Sequence, residues 1–185
     1  LRFLLGQLGI EASDEGGNPL TDAMGVTWIL ALLHLGDHPG DGVAALQVAR
    51  SPFAERYGVL PDGVGTPEGR EAAQAASRRV RNELMRHGYG AFVDEHAALL
   101  AKASPAWDVR RLEQLVELAL AFDERPGLRP VDFVDSIRET RVPDPTASTV
   151  KVMTIHASKG LEFDIVVLPE LGKAIRLAPS GFIGG

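Results

Sequence analysis

"VKVMTIHASKGLEFDIVVL", residues 150–168, sets two apolar runs around a polar decapeptide, residues 154–163. Residues 150–155 and 165–168 are short and rich in Val and Ile, the composition of strands covered on both faces. Polar groups between two buried strands need partners. In open α/β sheets ligands collect beyond the carboxyl ends of strands. Thr154 and His156 fall at that end of the first run, and the free N–H groups of a following turn make an anion site. Lys159 adds a positive charge. Gly160 permits positive φ or close backbone approach, and Glu162 offers carboxylate oxygens of the kind that accept ribose hydroxyls. This set suits recognition of a phosphate, a sugar or a nucleic acid. The same residues suit a structural use: Thr154 capping the turn, Lys159 and Glu162 as a solvated i, i+3 pair, and His156 on a backbone carbonyl. Eight residues from His156 to Phe163 are short for a crossover between adjacent parallel strands, so the two runs need not be neighbours.

Upstream of these runs the pattern changes at "VPDPTAS", residues 142–148, a Pro- and Asp-containing linker. Before it the periodicity is helical. Leu1, Leu4, Leu5 and Leu8 share one face of a helix that Gly9 stops. "SDEGGNPL" is a loop, and Thr21 is placed to cap a helix carrying Val26, Ile29, Leu30 and Leu33. "GVAALQVARSPF" makes a short helix. The clearest long helix runs from the Thr66 cap and Pro67 to Gly88. Helices over 91–103, 106–124 and 130–141 follow. The predicted fold is mostly α with a small α/β part: a lead-in over 1–20, a helical subdomain over 21–141, and strands within 149–185.

Composition bounds the function. The chain has 185 residues, 45% hydrophobic and 24% charged, with net charge -6 and no Cys. That is an ordinary globular composition, without disulfides or thiolate metal sites. The acidic balance argues against an autonomous nucleic-acid binder. The longest apolar stretch, around "VTWILALLHL", is too short to span a bilayer. With no signal peptide in view, a cytoplasmic location and no membrane partner are expected. The chain begins at Leu1 and is read as a piece of a longer protein.

Several decoys are set aside. No G-x-x-x-x-G-K-[ST] loop is present to cradle the β- and γ-phosphates. "VDEH", residues 93–96, imitates an acidic magnesium motif, but its neighbours place Asp94 and Glu95 on a helix, with His96 on the apolar face. His34 and His38 have an i, i+4 metal spacing but no third ligand, so no metal site is expected. Arg78, Arg79, Arg81 and Arg86 form a basic stretch on the long helix, either a solvated face beside Glu71 and Glu83 or a contact for duplex phosphates.

The decapeptide and its flanks, "VKVMTIHASKGLEFDIVVLPEL", resemble motif V of the UvrD/RecB/AddA-like superfamily 1 DNA helicases. The match holds at Thr154, Ile155, His156, Lys159, Gly160, Leu161, Glu162, Phe163, Val166 and Val167. By motif it covers 149–171. More weakly, the helical region looks like the 2B insertion of the second motor domain, with a length closer to the AddA/RecB branch. The resemblance implies a RecA-like motor segment over 149–185, preceded by a 2B-like helical subdomain. It implies that Glu162 contacts the ATP ribose, that Lys159 and Gly160 form the adjoining nucleotide-site turn, and that Thr154 and His156 face single-stranded DNA. Arg78 and Arg81 are then possible duplex contacts. ATP and Mg2+ are the cofactors implied for the parent. DNA is its implied partner, with the second component of a helicase-nuclease complex as a further one. No catalytic residue is expected within 1–185, so the isolated chain is expected to be inactive. The alternative is a non-catalytic helical interaction module on a helicase-like scaffold.

Overall fold

The computed structural model describes residues 2–10, 12–14, 17–125, 129–142 and 148–168. Its described elements run α1 (Arg2–Gln7), β1 (Ala12–Asp14), β2 (Asn18–Pro19), α2 (Met24–Asp37), α3 (Gly42–Ala49), α4 (Ala54–Tyr57), α5 (Pro67–Ala101), α6 (Ala106–Asp123), α7 (Pro130–Glu139), β3 (Arg141–Val142) and β4 (Val150–Val152). The chain is mostly helical, with one small parallel strand pair and one antiparallel pair.

The helices owe their limits to local chemistry. Asp41 caps α3, accepting from Val43 N at 2.8 Å and Ala44 N at 3.0 Å. Thr66 Oγ1 accepts from Gly69 N at 3.0 Å, with Pro67 opening α5 as expected. Gly88 has φ 79° and ψ 177°, so α5 is two helices joined at a kink. The predicted stop at Gly88 is therefore real, although the chain resumes helix at once. Thr21 is not the cap of α2. It lies in a short 3-10 turn, Leu20–Asp22, and α2 starts behind Ala23 without a side-chain cap.

Two helix starts are completed from afar. Past the kink, the Asp123 carboxylate at the end of α6 accepts from Tyr89 N at 2.6 Å and Gly90 N at 2.7 Å. At α7, Asp37 from the end of α2 accepts from Val131 N at 3.2 Å. Each supplies acceptors for N–H groups that a helix start leaves without intrahelical partners.

The core is a single cluster drawn from Leu20 to Val142, with Leu32, Leu33, Leu35, Leu115 and Phe133 fully buried. Close approach of α2 to α5 needs Gly36, whose added Cβ would lie 2.8 Å from Val80 Cγ1. There Ser77 Oγ donates to Gly36 O at 2.6 Å. Arg111 is fully buried on α6. Its guanidinium meets Asp22 at 3.1 Å and Gln114 Oε1 at 2.9 Å, and sits 5.0 Å from the Trp107 ring centre. A buried charge persists when it is paired in this way.

The strands depart from expectation. "SDEGGNPL" holds short strands as well as loop. β1 pairs parallel with β4 (Ala12↔Val150, Asp14↔Val152), and β2 pairs antiparallel with β3 (Asn18↔Val142). Gly17, at φ 67°, fits here because an added Cβ would meet Arg141 Cβ at 3.2 Å. The run 150–155 is strand only over Val150–Val152, and residues 155–160 form a turn. Residues 165–168 form no strand and are exposed, with Ile165 at 84% and Val167 at 79%. Strand geometry is held by backbone bonds to a neighbouring strand, and no described strand lies against 165–168. Residues 143–147 of the expected linker and 169–185 of the last segment lie outside the described residues.

Candidate functional site

The decapeptide leaves β4 and folds into a compact turn. Thr154 Oγ1 accepts from Ala157 N at 3.2 Å, and Thr154 O accepts from Ser158 N at 3.1 Å. Ser158 Oγ donates back to Ile155 O at 2.8 Å. His156 O accepts from Lys159 N at 3.4 Å and Ser158 O from Leu161 N at 3.1 Å. Gly160 takes φ 87°, a left-handed conformation that suits glycine, and its Cβ direction is open. The small polar residues thus spend their hydrogen bonds on the turn itself.

The charged residues do not. His156, Lys159 and Glu162 are exposed, and their side chains make no hydrogen bond or ion pair among the described residues. The i, i+3 pair of Lys159 with Glu162, one of the two readings of the sequence, is not formed. The imidazole of His156 likewise finds no backbone carbonyl. An imidazole, an ammonium and a carboxylate are therefore presented within seven residues on a backbone fixed by local bonds. Such a turn can offer donors to an anion and acceptors to hydroxyls. Thr154 is engaged as the capping acceptor, while its hydroxyl hydrogen is left to donate.

Elsewhere, the structure separates the basic stretch into two. Arg79 turns inward: its Nε donates to Glu83 at 2.9 Å, its Nη1 to Arg56 O at 2.6 Å, and it lies 5.0 Å from the Tyr57 ring centre. Arg78, Arg81 and Arg86 stay exposed without an ion pair among the described residues. "VDEH" is helical, inside α5, and His96 is a satisfied core residue as expected. His34 and His38 stack with ring centres 4.8 Å apart, and His34 Nε2 lies 3.0 Å from Asp41 Oδ2. No group of metal-ligating side chains forms among the described residues, and no described helix is long and apolar enough to cross a membrane.

The sequence reading missed the polar cluster around Tyr57. Its hydroxyl donates to Glu83 Oε2 at 2.7 Å and also lies 2.8 Å from His96 Nε2. Arg56 joins Glu95 at 2.6 Å. Burial raises the Tyr57 pKa, as does its bond to Glu83. Burial opposes the charge of Glu83, but bonds from Tyr57 and Arg79 outweigh it and hold the carboxyl below its ordinary value. No local spacing joins residues 57, 83 and 96; only the tertiary fold does.

Comparison with known proteins agrees with the motif. Residues 92–178 match the UvrD-like helicase C-terminal domain family. The chain is 25% identical over 212 aligned residues to an ATP-dependent helicase/nuclease of the AddA type from Acetivibrio thermocellus, covering 94% of this chain. The chain spans 17% of the length of that relative. No solved structure matches it. Two independent similarities, one of them spanning the decapeptide, thus bear out the resemblance: this chain is a UvrD/AddA-like helicase segment.

Proposed function

We propose that the chain serves an ATP-dependent DNA helicase or helicase-nuclease acting in DNA repair or recombination, and contributes its motif V. In this reading residues 149–185 belong to a RecA-like motor domain, and 21–141 form a 2B-like subdomain inserted into it after the lead-in over 1–20. The observation that carries the proposal is the turn over 155–160 with its ten motif matches, which leaves His156, Lys159 and Glu162 uncommitted. Glu162 would accept the ribose hydroxyls of ATP. Lys159 and Gly160 would shape the nucleotide side of the turn, and Thr154 and His156 would face single-stranded DNA. The parent would supply the phosphate loop and hold Mg2+. ATP would then be hydrolysed outside this segment, with the turn linking nucleotide state to DNA. Support for duplex contact comes from Arg78 and Arg81, which are exposed and without ion pairs among the described residues, while Arg79 is spent on the core.

The test is Glu162→Ala in the full-length protein. A hydrogen bond to a charged group is worth about 1.5–3 kcal/mol, or roughly ten- to hundredfold in ATP affinity if all of it appears in binding. Glu162→Gln should lose less affinity, since its amide oxygen still accepts. Unchanged ATP affinity, hydrolysis and unwinding in a stably folded Glu162→Ala protein would remove the ribose role. The isolated 185-residue chain should show no DNA-stimulated ATPase activity.

A further inference from the structure

The buried contacts of Tyr57 and His96 pose a problem of proton counting. Phe92 O lies 2.7 Å from His96 Nδ1, and a carbonyl only accepts, so Nδ1 carries hydrogen. In neutral imidazole Nε2 is then an acceptor. Tyr57 Oη lies 2.8 Å from that nitrogen and 2.7 Å from Glu83 Oε2, an acceptor when ionised. The phenol has one hydrogen for two acceptors. If it donates to Glu83, the Oη and Nε2 lone pairs face each other. If it donates to Nε2, Oη faces the carboxylate instead. Both outcomes leave one short acceptor–acceptor contact at a buried site.

One further proton removes the conflict. Placed on Nε2, it makes every contact run from donor to acceptor: Nδ1–H to Phe92 O, Nε2–H to Tyr57 Oη, and Tyr57 O–H to Glu83. We propose that Glu83, Tyr57 and His96 form a buried proton-uptake site, which loads one proton at His96 Nε2 and so completes a hydrogen-bonded chain tying α4 to both halves of the kinked α5. Glu83 lies before Gly88 and His96 after it, while Tyr57 ends α4. Acidification therefore fastens the two halves of α5 through Tyr57.

The neighbours decide where the proton goes. Arg79 at 2.9 Å and Arg56 at 4.0 Å favour the charged form of Glu83. Glu95, bound to Arg56, lies on the same half of α5 as His96. Phe53 meets the His96 ring edge-on at 5.0 Å and Phe92 stacks on it at 4.2 Å, so those faces supply no charge. The proton thus settles on the imidazole and leaves the carboxylate ionised. Burial pushes the His96 pKa down, and Arg56 pushes it the same way, against Phe92 O, Glu95 and Glu83. The site is therefore empty near neutral pH and fills on acidification below the ordinary histidine range.

Side-chain NMR of the 185-residue chain, following the histidine nitrogens through a pH titration, tests this. The expected spectrum at neutral pH shows His96 as the Nδ1–H tautomer, and lower pH adds a proton to Nε2. Tyr57→Phe and Glu83→Gln each remove a link that supports the imidazolium. Each should move the His96 midpoint to lower pH by about one unit, the size of one charge-assisted bond. The same midpoint in wild type and in both folded variants would overturn the proposal. So would an Nε2–H tautomer at neutral pH, or a wild-type His96 that never titrates while the chain stays folded.

Discussion

Two parts of this chain have similar raw material and opposite outcomes. Between Leu20 and Val142, apolar residues repeat at helical spacing and bury one another in a single core. Over 154–168, apolar residues are as dense but stay exposed: Ile155 at 73%, Val166 at 66% and Leu168 at 50%. Hydrophobicity alone does not bury a segment. A helix makes its own backbone bonds and needs only a neighbour for its apolar stripe. A β-branched run needs a strand beside it before its side chains have a sheet to stand on. The helical region finds its partners among the described residues, whereas 165–168 does not. The exposed charges of 154–163 lie in the second region, and the buried ion pairs lie in the first.

The largest way to break this contrast is to open the helical core. Phe133 is fully buried, with ring centres 5.0 Å from Phe122 and 5.5 Å from Tyr89. Phe133→Ala should cost about 3–5 kcal/mol in chemical denaturation. If it costs under about 1 kcal/mol, the core around α6 and α7 is not packed as described.

A smaller effect tests the kink. Asp123 serves two backbone N–H groups that the kink would otherwise leave bare, so Asp123→Ala should cost about 1–2 kcal/mol. Gly90→Ala probes the same junction by a different route, because an added Cβ there collides with Leu120. Overpacking of this kind costs about 1–3 kcal/mol. Both variants should leave the denaturation midpoint below wild type, and a midpoint unchanged in both would mean that α6 does not brace the kink.

These junctions also show how much was legible. Period and punctuation revealed the helices, because Thr66, Pro67, Gly88 and Pro105 act within a turn of their own position. The decapeptide was legible as a turn for the same reason: Thr154, Ser158 and Gly160 make it from neighbours. What stayed hidden was assembled across the chain. β1 has three residues and becomes a strand only because Val150–Val152 lies beside it. Asp37 and Asp123 cap helices that begin 94 and 33 residues away in sequence. The Tyr57 cluster has no periodic signature at all. In the site, Glu162 and Lys159 were readable as candidates, but whether they would pair with each other was not. That depended on the direction of two side chains after Gly160.

A pH test sharpens the contrast further. Asp41 is held below the ordinary aspartate value, first by the Ala44 N–H, then by Val43 N–H and His34, against a smaller cost of burial. Its contribution is therefore present above the unfolded aspartate value of about 4 and is lost as pH falls through the lowered folded value. Asp41→Ala should cost about 1 kcal/mol near neutral pH. The gap between variant and wild type should close on acidification. A gap that stays constant down to the acid limit would assign the cost to something other than the charged cap.

The smallest expected effect is the most informative about 154–163. Glu162 is exposed and has no partner among the described residues, so Glu162→Ala should shift the stability of the 185-residue chain by less than about 0.5 kcal/mol. Lys159→Ala should behave the same way, and the double variant should equal the sum, since no pair exists to couple them. A coupling above about 0.5 kcal/mol would show that the two side chains meet in solution, and the site would then be a structural ion pair. Additivity near zero has the opposite meaning. It leaves the carboxylate and the ammonium with no role in holding the fold, so any loss of nucleotide affinity in the full-length Glu162→Ala protein reports on a ligand and not on folding.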